Sequence, residues 1–171
     1  MSEVLEKISS YNIFNYLFPG TLFVVLAKQL TSFDLSQENL LLAVCSYYFI
    51  GLVISRLGSL ILEPLLKVVR FVSFADYSSF VSACQVDPKI NTLLEVTNMY
   101  RTLCAVFIAL LSLIVFEWLV VEFPISEKYA APAVICALLT LFLFSYKKQT
   151  KYIVDRVGAV SYTHLTLPTK A

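Results

Sequence analysis

Four long apolar runs, set apart by shorter polar stretches, organise the chain: Ile13–Leu30, Leu40–Leu62, Thr102–Val121 and Ala130–Tyr146. A helix needs roughly 20 mostly apolar residues to cross a hydrocarbon core, so each run is expected to be a transmembrane span. The fourth is the shortest, and a re-entrant segment is the alternative for it. The first carries Pro19-Gly20, and its flank holds Glu3, Glu6 and a single lysine with no clean small-residue cleavage site, which does not fit a cleaved signal peptide.

The polar stretch between the second and third runs predicts two helices. "SFADYSSFVSACQ" has Ser73 as a candidate cap and places Phe74, Tyr77, Phe80 and Val81 at helical spacing. Asp87-Pro88 then signals a turn and restart, with Asp87 as N-cap and Pro88 in the first helical position. The second helix is expected to run from Pro88 straight into the third span, a length of about 50 Å that must project beyond the bilayer. Ile90, Leu93, Leu94, Val96 and Tyr100 are expected to pack on the preceding helix. The fold class is therefore an all-α membrane protein: four transmembrane helices with a cytoplasmic helical hairpin between spans two and three. The chain divides into an N-terminal segment (1–12), spans one and two (13–63), the hairpin (64–101), spans three and four (102–146), a basic tail (147–159) and a terminal segment (160–171).

Composition agrees with this reading. The chain is 58% hydrophobic and only 15% charged, with a mean hydropathy of +0.78, whereas soluble domains run at roughly 45–50% apolar and about 25% charged. Charge placement adds an orientation. Lys67, Arg70, Lys89 and Arg101 lie between spans two and three, and Lys147, Lys148, Lys151 and Arg156 follow span four. The loop 31–39 has no cation, although Lys28 lies just before it, and the loop after span three has only Lys128. By the positive-inside rule, the N terminus, the hairpin and the C-terminal tail are expected in the cytoplasm, with the protein in a cell inner membrane.

The last stretch, "VSYTHLTLPTKA", follows neither pattern and holds the sole histidine, His164. Back-translated in one frame from Val160 to the start of Lys170, it resembles a transposon-end adaptor used in sequencing libraries. Residues 160–171 are accordingly expected to be a processing scar, and the natural chain is expected to continue beyond Gly158. Setting Lys170 aside lowers the cations from 13 to 12 against 12 acids, a formal net charge of zero. It also leaves no histidine for Ser/His, Cys/His or metal chemistry.

Other chemical motifs are sparse. Cys45, Cys84, Cys104 and Cys136 form no C-x-x-C pair and are expected to be small buried hydrophobes. There is no Walker A pattern and no G-x-G-x-x-G. No enzyme activity, cofactor, metal or direct nucleic-acid binding is expected.

Three groups of residues stand out instead. In "IGLVISRLGSLILEPLLK", Gly51, Ser55 and Ser59 recur every four residues with Gly58 beside them, a spacing that lets transmembrane backbones approach closely. Arg56 and Glu63 lie on nearly one helical face but two turns apart, too far for an ideal pair. Arg56 has two open readings: a polar path or lipid headgroup site, and a side chain snorkelling to the interface. Glu117, next to Trp118, belongs either to a polar path or to the interfacial belt. In the hairpin, Phe74, Tyr77 and Phe80 offer aromatic anchors for a partner, and Lys89 and Arg101 offer charge to steer an acidic one.

"YNIFNYLFPG", "SRLGSLILEPLLK", "FADYSSF" and "EVTNMYR" resemble a family of small multi-pass accessory membrane proteins of prokaryotic antiviral defence loci, the accessory family of type VI-B CRISPR systems. The resemblance covers roughly residues 8–122 and carries no catalytic position. It implies a role in modulating or executing immunity at the membrane. The leading function class is thus an accessory or effector protein that couples a cytoplasmic protein partner to membrane lipid, as a homo-oligomer. A small channel or transporter subunit, with Arg56, Glu63 and Glu117 on its pathway, is the alternative. A lipid-acting enzyme ranks last.

Overall fold

A computed structural model describes residues 13–122 and 127–166. Its elements are α1 (Phe18–Leu30), preceded by a π-helical turn Ile13–Leu17, then α2 (Leu40–Leu57), which passes through a second π turn, Gly58–Leu62, into α3 (Glu63–Val68). After these come α4 (Tyr77–Val86), α5 (Lys89–Glu122) and α6 (Glu127–Thr166). All the regular structure among the described residues is helical. Three helical stretches are long and apolar enough to cross a membrane: Leu40–Val68, Lys89–Val120 and Ala131–Val160. The first expected span forms a helix of 13 residues behind its five-residue π turn.

Each π turn ends two residues before a proline. Pro19 and Pro64 occupy the second positions of α1 and α3. A proline inside a continuous helix lacks its N–H and crowds the carbonyl four residues back. Widening the preceding turn accommodates both problems. At the second site the Glu63 N–H reaches back to the Gly58 carbonyl, five residues away.

Side-chain caps open α2, α4 and α5. Asn39 Oδ1 accepts from the Leu41 and Leu42 N–H groups at 2.9 and 3.2 Å and starts α2. The cap of α4 is Asp76, rather than Ser73 as the sequence suggested. Its carboxylate accepts from the N–H groups of Ser78 and Ser79 at 3.1 and 3.4 Å and from the Ser78 hydroxyl. A carboxylate at this position also complements the positive end of the helix dipole. Asp87 accepts from the Lys89 N–H at 3.0 Å and opens α5. At the end of α3, Arg70 takes a φ of 57°, and the Phe71 N–H returns to the Leu66 carbonyl at 2.9 Å, closing the helix as a glycine would usually do.

The core sits where α1, α2 and α5 meet. Phe23, Val24 and Ala27 of α1 pack on Ile54 of α2 and on Ala105, Val106 and Leu110 of α5. Helix α6 is seated differently: none of its membrane window is buried. It touches the rest through Phe142 against Phe49 of α2, 6.1 Å between ring centroids, and Tyr152 against Tyr77 of α4, 6.4 Å.

Two expectations about burial need correction. Leu93, Leu94, Val96 and Tyr100 are exposed rather than packed on α4, because α4 leans on α6 as well as on α5 and buries chiefly Val81. Cys45, Cys104 and Cys136 are exposed, and Cys84 is half-buried. The three exposed thiols lie on outward faces of spanning helices, where hydrocarbon is their natural surroundings.

Candidate functional site: a cation-rich cluster at one end of the bundle

The small-residue positions of α2 each meet a different neighbour. A Cβ added to Gly51 would stand 1.8 Å from the Tyr16 carbonyl oxygen, and one added to Gly20 would stand 1.8 Å from that of Tyr47. The α1–α2 crossing is therefore a contact of backbone on backbone. Gly58 lies against α5, where its added Cβ would be 3.2 Å from that of Ala105. The Thr102 hydroxyl donates to Ser55 Oγ at 3.3 Å. Ser59 faces α6: Lys148 Nζ donates to its carbonyl at 2.6 Å and to its hydroxyl at 2.8 Å.

These contacts deliver charge to one place. Glu63, its side chain 8% exposed, receives Arg101 Nη1 at 2.7 Å on Oε2. Its Oε1 receives Lys67 Nζ at 3.0 Å and lies 3.7 Å from Lys148 Nζ. One buried carboxylate thus gathers three cations from α3, α5 and α6, and two of them, Arg101 and Lys148, come from distant parts of the chain. Removing such a charge from water is costly unless every lone pair is engaged, and here both oxygens are. Lys67 also lies 4.2 Å from the centroid of the Phe74 ring, a cation–π contact.

Arg56 does not join Glu63. Its Nη2 donates to the Tyr16 hydroxyl at 3.4 Å, and its side chain shares a small cleft with Ser59, Lys148 and Tyr152. Glu117 belongs to the opposite end, where Oε1 accepts from the Ser32 N–H at 2.8 Å and Phe116 lies 6.3 Å from Phe33. The sixteen positions from Arg101 to Glu117 span about 24 Å of helix. The layer between them holds Val24, Ala27, Val106 and Leu110. Arg56, Glu63 and Glu117 therefore do not converge on one polar path within a single chain.

Among the proposed docking residues, Phe74 is exposed. Tyr77 and Phe80 stack on each other at 6.3 Å and are half-buried. Lys89 is exposed at the start of α5, while Arg101 is engaged by Glu63. Sequence reasoning missed Lys148 and Lys67 as partners of Glu63. The i,i+4 spacing of Glu63 and Lys67 was a local signal for one of them.

Outside the spans, Asp34 accepts from the Ser36 hydroxyl and N–H and pairs with Lys28 at 2.9 Å. The Ser36 hydroxyl first, and then Lys28, hold its carboxyl well below the usual carboxylate range. The Ser78 hydroxyl, with the neighbouring N–H groups, lowers Asp76 in the same sense.

The apolar helices and the charge cluster at their end mark the chain as a helical membrane protein. No family model matches the chain, and no curated protein and no solved structure does so either.

Proposed function

We propose that the protein is a four-span inner-membrane protein whose segment 64–101 lies in the cytoplasm and couples a cytoplasmic protein partner to the bilayer in prokaryotic antiviral defence. The observation that carries the coupling role is the apolar surface left open on that segment: Phe71, Val86 and Leu93 are 78%, 86% and 64% exposed. Lys89, Glu95 and Arg101 keep this part of α5 out of the hydrocarbon, so lipid does not explain the exposure. Exposed apolar residues ringed by polar ones suit a protein interface. A fourth span is supported by α1, which runs beside the others from Arg56 at one end to Glu117 at the other. The defence setting rests on the four sequence motifs.

A phage-protection assay with membrane abundance measured alongside tests the coupling role. Leu93→Asp and Val86→Asp should be abundant and unprotective. Tyr77→Ser and Phe80→Ser should lower abundance, because both rings belong to the stack on Tyr152. If Leu93→Asp and Val86→Asp both protect like the natural residue, the coupling surface is wrong. A natural sequence that gives no protection ends the defence assignment. Orientation is read from Cys84, the half-buried thiol outside the apolar faces. An impermeant maleimide should label it only after permeabilisation, and should label Ser36→Cys in intact cells.

A further inference from the structure

The charges at the end of the bundle do not balance. Among the described residues, Glu63 is the carboxylate paired with these cations, its two oxygens taken by Arg101, Lys67 and Lys148, and Asp155 stands one helical turn beyond Tyr152. Arg56 adds a further cation whose guanidinium meets a phenol at 3.4 Å. The buried Nε of Arg101 has no acceptor among the described residues. Among the described residues, four cations drawn together around one buried acid at the edge of a low-dielectric layer suit a further anion.

The place for it is the cleft between the π turn of α2 and the far end of α6. Arg56, Ser59, Leu60, Lys148, Gln149 and Tyr152 line it. Arg56 supplies a planar fork suited to phosphate oxygens. Lys148, with its short bonds on Ser59, supplies charge, while Gln149 and Tyr152 bring further polar groups to the wall. Leu60 gives the cleft an apolar foot on a membrane-spanning helix. Phosphate is the anion a bilayer presents at the ends of its spanning helices.

We propose that this cleft binds the phosphate of an anionic lipid headgroup, with Arg56 as its principal ligand and Lys148 as the second charge. The proposal depends on the bilayer reading and is independent of the partner-coupling role, which the protection assay addresses separately.

The experiment follows thermal unfolding of the full chain in neutral detergent. Added phosphatidylglycerol should raise the midpoint by roughly 4 °C or more, as a ligand specific to the folded state does. Phosphatidylcholine, inorganic phosphate and glycerol phosphate should move it little. Arg56→Gln should remove at least half of the phosphatidylglycerol shift, and Arg56→Lys, which keeps the charge but not the fork, should retain more of it than Arg56→Gln. Lys151→Gln, an exposed cation outside the cleft, should leave the shift intact. Lys148→Gln should behave like Arg56→Gln. If it fails to fold, the Arg56 pair and the lipid series still decide the matter. Equal shifts from phosphatidylglycerol and phosphatidylcholine, or an undiminished shift in Arg56→Gln, overturn the proposal. A full shift from inorganic phosphate alone replaces the lipid with a soluble phosphate and overturns the lipid assignment.

Discussion

Helices α1 and α6 both lie along α2, yet they are held by opposite means. Helix α1 meets it through two glycines, Gly20 and Gly51, each set against a backbone carbonyl of the other helix. Helix α6 meets it through long side chains: Lys148 reaching to Ser59 and Glu63, and Phe142 beside Phe49. Inside a membrane, apolar burial gives helices little reason to prefer each other over lipid, so close packing and polar contacts must do that work. The α1 contact uses the first of these and tolerates almost no added volume. The α6 contact uses the second, spans a wider gap, and leaves its apolar face to the bilayer.

The sharpest way to break this contrast is to add volume at the glycine crossing. Gly20→Leu or Gly51→Leu should separate α1 from α2 and cost about 3 kcal/mol or more, read as loss of folded protein in detergent. The same change at Gly158 of α6, where an added Cβ meets nothing within 4 Å, should be neutral. If Gly51→Leu is tolerated as well as Gly158→Leu, the crossing is not tight.

Charge is the next lever. Glu63→Gln strips the shared acceptor from Arg101, Lys67 and Lys148. Loss of a fully buried partner costs about 3–5 kcal/mol. Lys67 is 45% exposed and can turn to water, so about 2 kcal/mol is expected here. A crosslink between α2 and α6 should weaken while one between α1 and α2 persists. Phe142→Ala should have a smaller effect of the same kind, about 1 kcal/mol, again confined to α6.

The smallest effect concerns pH and the cap of α4. Asp76 has its carboxyl lowered in the folded state, so its contribution is present above the ordinary carboxylate range and is lost as pH falls through the lowered value. Amide protection at Ser78 and Ser79 should hold near neutrality and fall only in strong acid. Asp76→Ala should show reduced protection at every pH. Protection that falls already above pH 5 would contradict the lowered carboxyl.

Much of the helical plan was legible because it depends on neighbours in sequence. Apolar runs long enough to span, the Asp87-Pro88 restart and the continuity of α5 into its span are all local patterns. The charge cluster was not legible in this way. Glu63 finds Arg101 and Lys148 through the tertiary arrangement, and no spacing rule connects residues so far apart in the chain. The same holds for Tyr77, whose partner Tyr152 lies on a helix that begins fifty residues later. Helical periodicity showed that Leu93 and Leu94 share a stripe, and could not say whether α4 would cover it. The cysteines misled for a related reason: in a membrane, an apolar residue has no need of the protein interior.

The two proline-linked π turns have a consequence for how this chain tolerates insertion and deletion. Each turn accommodates one residue more than an α-helix would, and each residue in an α-helix advances the side-chain direction by about 100°. Shortening Gly58–Leu62 by one residue would let the helix run on in regular form while turning Glu63 away from Arg101. The extra residue therefore acts as a phase setting: it fixes which way everything downstream of it faces. Length at these two places is constrained more tightly than residue identity, and a single-codon deletion there should be harsher than most substitutions beside it.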